Sequence, residues 1–408
     1  MNAAEALTLA AITYRGCEFN LSNSHSRQIV YDEVARCLIT FGATRGKWEL
    51  AWGPAGYRPG IAGADISTMY AVRGTDVTST SNLAIVIRGT NFFSPLDWLS
   101  NLLIDTKPWE YGGAANGVEI SNCTWLGLRI LQRLQSGPVP APPATQTPVE
   151  KLQAEDTAAQ AAVVYGFLKS IIEGGTSFDI ATYQTQIEEK VATIAKSSFT
   201  PAPGLKQAID DAQRPPASAG TLLEFLKGFV ANAAPPVNIC LIGHSKGGAL
   251  APAFALWLAD TQGGAVSGAE QWDPDCKANL HVYSFSAPTA GNAGFAARFK
   301  QNIPHYYRLA NPYDIVTNVW DPNEVRNIPG IYGDQLTALR IPADVLALAL
   351  QVPAYQHEVP SEPWTGDAVP QSNFLKRAAV EHLDSYLRKF GLYDAKALST
   401  LALFAPIS

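Results

Sequence analysis

The stretch Gly243-His244-Ser245-Lys246-Gly247-Gly248 constrains the chain more than any other. An apolar run, VNICLI at 237–242, precedes it, and ALAPAFALWLA at 249–259 follows. The first has strand length and the second reads as a helix. Gly-x-Ser-x-Gly between a strand and a helix predicts a nucleophile elbow. A serine on so sharp a turn takes a strained backbone, which lifts its hydroxyl clear of the sheet. The positions two before and two after it must be small, because strand and helix pass close there. Both are glycine here. The helix start adds backbone N–H groups and a positive dipole end where negative charge would develop.

The surroundings fit that turn. Residues 82–87 (NLAIVI) form a continuous apolar run, as in a strand buried on both faces of a parallel sheet. Further strands are expected at 48–52, 69–73, 280–285 and 305–309, and helices at 124–134, 221–233, 246–260 and 373–390. Strand and helix alternate through 80–136 and 219–318, which predicts an α/β architecture with crossover helices. Leu7, Ala10, Ala11 and Tyr14 would share one face of a short amphipathic helix. Pro-rich breakers at GPVPAPPATQTP and at FTPAPG with RPPASAG bracket two helical patterns. A single domain over 1–408 with a helical insertion at 138–220, a candidate cap, is therefore expected.

A serine hydroxyl needs a base. The chain has six histidines, and the order serine, acid, histidine of α/β-hydrolases excludes His25 and His244. His281 and His305 open strands, a sheet-edge role. His357 and His382 both remain. For the acid, Asp314 follows the strand at 305–309. Asp321 lies seven residues on, in a Trp-Asp-Pro turn where turn chemistry is its ordinary role.

Several blocks, in order, resemble the class 3 lipases. GHSKGGALA resembles the family's elbow, and VYSFSAPTAGNAGFAARF the strand and turn after it. YYRLANPYDIV resembles the acid block, AIVIRGTNFFSPLDWLSNL the oxyanion strand, and AYQHEVP and EHLDSYL the C-terminal blocks. The blocks cover roughly 80–136 and 219–390. The resemblance implies an α/β-hydrolase fold with a mostly parallel central sheet and an inserted helical cap or lid. It implies Ser245 as nucleophile, Asp314 as acid and His382 as base. It implies an oxyanion hole made by Thr90 and the backbone N–H of Lys246, with Arg88 structural. It also places residues 91–111 at the family's lid, with Phe92, Phe93, Leu96, Leu99 and Trp109 facing an acyl chain. The chain departs from the pattern at Lys246 for Leu, Ser286 for Gly and Thr289 for Arg, and Pro252 falls inside the elbow helix, where a kink is expected.

The implied activity is hydrolysis of lipid carboxylic esters, as in a triacylglycerol lipase or carboxylesterase, with a lipid or ester substrate and transient contact with a lipid surface. The alternatives are a phospholipase A-type enzyme, an acyltransferase or polyester depolymerase, and a non-catalytic binding protein of the same fold. No cofactor or metal is expected: HExxH, P-loop and strand-borne GxGxxG are all missing, and Asp273 and Asp275 read as a solvated turn. A net charge of -6 without a basic block argues against nucleic acid. The N-terminal stretch lacks the basic-apolar-small order of a secretory signal. The expectation is a cytoplasmic protein, or one secreted by a signal-independent route.

Overall fold

Strand β3 (Asn82–Ile87) carries the apolar run NLAIVI, and its side chains divide between two cores. Leu83, Ile85 and Ile87 face one, while Ala84 and Val86 face the other. Strand β6 (Val237–His244) divides likewise, with Val237, Ile239 and Leu241 on the first side and Cys240 and Ile242 on the second. Period-two side chains that are apolar on both faces require a sheet covered on both sides.

This is a computed structural model of the chain. It describes residues 1–15, 19, 21, 24–58, 67–75, 81–90, 105–113, 117–136, 207, 208, 210, 211, 213, 220–263, 270–332, 354–369 and 374–392. The expected insertion at 138–220 therefore lies almost wholly outside the described residues.

The central sheet has the order β1-β2-β3-β6-β7-β8. Its first strands, β1 (Trp48–Tyr57) and β2 (Ser67–Gly74), pair antiparallel with each other, and β2 pairs antiparallel with β3. From β3 onward the pairing is parallel, through β6, β7 (Ala278–Phe285) and β8 (His305–Leu309). Two short strands, β4 (Thr106–Pro108) and β5 (Glu119–Ser121), form a separate antiparallel pair.

Helix α1 (Ala3–Ile12) differs from the one-faced helix expected of it. Every residue from Ala6 to Ile12 is fully buried. The physical reason is its place: it lies against β3, β6 and β7, with α2 (Ser24–Thr40) and the C-terminal helix also packed on it. A helix covered on several sides has no polar face to present. On the opposite face lie α3 (Asn122–Leu131), α4 (Leu222–Asn232) and α5 (Lys246–Asp260), with α6 (Ala293–Asn302) beside α5. Ser121, Thr221 and Asn292 cap α3, α4 and α6, each accepting a backbone N–H with its side-chain oxygen.

Pro252 does not interrupt α5, which runs as one helix from Lys246 to Asp260. A proline lacks the N–H that would bond the carbonyl four residues back. That carbonyl belongs to Gly248, and the Ser284 hydroxyl of β7 donates to it at 2.9 Å. The neighbouring strand thus supplies the hydrogen bond that the helix cannot make.

The C-terminal helix consists of α7 (Phe374–Ala379), a π-helical turn (Val380–Asp384) and α8 (Ser385–Lys389). Such turns concentrate at functional sites. This one contains His382.

Candidate active site

Strand β6 ends in the elbow. Ser245 has φ 60° and ψ -133°, a conformation rare outside glycine. Ser245 stands at the start of α5 but makes no side-chain cap there, so the hydroxyl is not committed to the helix. Gly247 is required by close approach. A Cβ there would lie 2.8 Å from the Arg88 carbonyl carbon. The end of β3 therefore rests directly on the elbow. Gly89 continues that contact, since a Cβ on it would come 2.6 Å from the His244 carbonyl oxygen and 2.8 Å from the Ser245 Cβ. Thr90, Ser245 and Lys246 are all buried.

Strand β8 leads to the loop that holds Asp314. The Asp314 carboxylate is 1% exposed and accepts from the Val316 backbone N–H at 3.0 Å and the Tyr386 hydroxyl at 3.2 Å. His382 places Nδ1 3.0 and 3.1 Å from the two carboxylate oxygens. A carboxylate only accepts, so Nδ1 carries the proton and Nε2 is left as the basic nitrogen. Burial and the adjacent Asp314 carboxylate push the Tyr386 phenol well above its ordinary value, so it stays a donor.

Polar bonds tie the acid loop to the C-terminal helix. The Asn311 backbone N–H donates to the Tyr386 hydroxyl at 2.7 Å. Its side-chain amide donates to Glu381 at 2.8 Å, and Glu381 also accepts from the Ser385 hydroxyl at 2.7 Å. Glu381 is fully buried with these donors around it. The acid and base are thus brought together by residues 70 positions apart in sequence.

The elbow is bonded to the same helix. His244 Nε2 lies 2.7 Å from the His382 carbonyl oxygen, and the two imidazole rings are 4.7 Å apart. A carbonyl only accepts, so His244 Nε2 holds the proton, and its Nδ1 accepts from the Tyr14 hydroxyl at 2.9 Å. Burial and neighbouring His382 hold the His244 value well below the ordinary 6.5. A histidine depressed on folding binds its proton more readily when unfolded. Its share of stability is therefore present above about pH 6.5 and is lost as pH falls below it. Wild type should lose more of its melting temperature between about pH 7.5 and 5.5 than His244→Gln does, measured by thermal unfolding. Equal losses in both would contradict this assignment.

The other sequence candidates separate clearly. His357 Nε2 lies 3.1 Å from both Glu324 and the Thr317 carbonyl, not on the Asp314 pair. Asp321 caps a one-turn helix by accepting from the Asn323 N–H. His281 and His305 stack on neighbouring strands, with centroids 4.6 Å apart. Phe92, Phe93, Leu96 and Leu99 lie outside the described residues. Trp109 is described and lies buried in the core cluster on the Leu83 and Ile85 side of the sheet. Its indole donates to Asp260 at 2.7 Å, and its ring meets Tyr111 and Phe295. The reason is that β4 pairs with β5 just before it, which draws Trp109 into the core. Asp273 is not solvated: it is fully buried and accepts from the Lys277 and Ala278 N–H groups and from Gln262. Among the described residues no cluster of acidic, histidine or cysteine side chains could hold a metal ion.

Residues 144–323 match the family model described as Lipase (class 3). The stretch contains Ser245 and Asp314; Thr90 precedes it and His382 follows it. Among solved structures, M37 lipase is 23% identical, with 98% of this chain and 95% of that chain covered and a TM-score of 0.67. The Rhizomucor miehei lipase propeptide complex is 14% identical over 78% of this chain and 62% of that chain, with a TM-score of 0.37. The Lip2 lipase from Yarrowia lipolytica is 15% identical over 77% and 72%, with a TM-score of 0.33. No curated protein matches the sequence. Over residues 144–323 the chain is thus similar to the class 3 lipases, and over nearly its whole length it shares the α/β-hydrolase fold of M37 lipase.

Proposed function

We propose that the chain hydrolyses carboxylic esters of lipids through Ser245, His382 and Asp314. One observation carries this reading: His382 Nδ1 sits 3.0 Å from a buried Asp314 carboxylate, while its backbone is bonded to the residue before a strained serine. His382 Nε2 takes the Ser245 proton as Oγ attacks the ester carbonyl. The C–O single bond breaks in collapse of the tetrahedral intermediate, and His382 returns the proton to the leaving alcohol. Water then attacks the acyl-enzyme with the same base, releasing the acid. Asp314 holds the imidazole in the correct tautomer and stabilises its charged form.

Thr90 and the Lys246 N–H serve as oxyanion donors. Both residues are buried beside the elbow, and the approach of Gly89 and Gly247 brings the end of β3 over it. Thr90→Val removes one donor with little change in volume. Its kcat should fall about 10²- to 10³-fold, the usual effect of losing one such group. Steady-state kinetics on a p-nitrophenyl ester measures this, and unchanged kcat would remove Thr90 from the mechanism.

The substrate is proposed as a lipid ester, triacylglycerol in the first instance. Product analysis on emulsified triacylglycerol and on phospholipid vesicles tests this. Free fatty acid from triacylglycerol alone supports the reading, and release from phospholipid alone favours a phospholipase.

A further inference from the structure

We propose that Ser286 is a positioning residue for the catalytic histidine, its hydroxyl fixing the His382 ring against Asp314. This rests on the Ser245–His382–Asp314 reading and adds a fourth side chain to it.

Ser286 follows the end of β7, as Ser245 follows the end of the neighbouring β6. Both are non-glycine residues with positive φ, 60° for Ser245 and 56° for Ser286. The Ser245 N–H donates to the Phe285 carbonyl, and the Ser286 N–H donates to the Leu309 carbonyl of β8. The two serines therefore stand at successive strand ends of the parallel sheet. A left-handed conformation favours glycine, which reaches it without a Cβ penalty. A serine there is strained, and its side chain is fully buried. The hydroxyl contacts Asp314 Oδ2, the Tyr386 hydroxyl and, at 2.5 Å, His382 Nδ1.

The direction of these bonds follows from the donor inventory. Asp314 only accepts, so the Ser286 O–H donates to it. The oxygen lone pair then faces Nδ1–H, whose proton also points at the carboxylate. Asp314 does not need this hydroxyl for its own satisfaction, since Val316 N–H, Tyr386 O–H and His382 already serve it. The distinctive contact is the one to Nδ1. It gives the imidazole a second acceptor on that side and leaves it one orientation and one tautomer. Nε2 is thereby kept as the proton acceptor for Ser245.

The test is Ser286→Gly and Ser286→Ala in the full chain, with Ser245→Ala in parallel. Ser286→Gly relieves the positive φ, so its melting temperature should be equal to or above wild type. With a p-nitrophenyl ester, kcat should fall roughly ten- to hundredfold in both variants with KM unchanged. That is the rate equivalent of one charge-assisted hydrogen bond. The downfield proton resonance of His382 Nδ1–H should move in both variants. A role confined to folding would move neither that resonance nor kcat in the glycine variant. Wild-type kcat and resonance in a folded Ser286→Gly would overturn the proposal. Loss in the glycine variant with full activity in Ser286→Ala would also overturn it, because the hydroxyl would then not be the cause. Failure of the underlying triad is distinguished by the parallel variant, since activity retained in Ser245→Ala strikes that reading and not Ser286 alone.

Discussion

Ser245→Ala should lose about 10⁴-fold or more of kcat on any ester the protein turns over. That factor corresponds to roughly 5–6 kcal/mol of transition-state stabilisation. The size follows from what the variant removes. The acyl-enzyme cannot form, so only oxyanion donors and binding remain to assist direct attack by water. The fold should survive, because the Ser245 side chain caps nothing and the substitution only deletes a hydroxyl. The strained backbone stays strained with alanine. Kinetics with a purified variant of unchanged melting temperature gives the answer, and wild-type turnover would end the account of the elbow.

Asp314→Asn should lose about 10⁴-fold in kcat through the histidine tautomer. The geometry makes this site harsher than a simple charge deletion. One carboxylate oxygen accepts from the Val316 N–H, and the other accepts from the Tyr386 hydroxyl and Ser286. An amide presents one oxygen and one NH2. Whichever way it turns, one set of donors meets a donor, and His382 Nδ1–H loses at least one of its acceptors. A buried mismatched pair of donors also costs stability, on the order of 1–3 kcal/mol. Both losses should appear together, in kcat and in the thermal midpoint. A variant with normal kcat would place the general-base chemistry elsewhere.

The core of the site was legible because its chemistry is local in sequence. Gly243 and Gly247 around Ser245, with a strand before and a helix after, specify the elbow without reference to anything distant. The boundaries of β3, α5 and β8 coincide with those read from the sequence, and for β3 the reason is that a strand buried on both faces is a continuous apolar run. On residue type and position alone Asp321 is the weaker acid beside Asp314, while His382 against His357 stays open. The structure separates them by partners that no spacing encodes: Thr317 and Glu324 hold His357.

What was not legible depends on long-range contact. Tyr14 bonds His244 across 230 residues, and nothing near Tyr14 announces it. The sequence of α1 reads as one-faced because its covering elements lie far along the chain. Trp109 reads as part of an apolar lid, and its burial in the core beside the β4–β5 pair is set by residues that its own neighbours in sequence do not announce. Ser286 left a signal, a serine where the resembled family has glycine. Its meaning needed the positions of Asp314 and His382.

The most direct measurement is labelling with a fluorophosphonate followed by peptide mass mapping. The reagent forms a stable adduct only with a serine activated as a nucleophile. The account predicts one adduct per chain, on the peptide carrying Ser245, none on Ser245→Ala, and strongly slowed labelling in Asp314→Asn. An adduct on another serine, or an unlabelled Ser245 in protein that still hydrolyses ester, would contradict it.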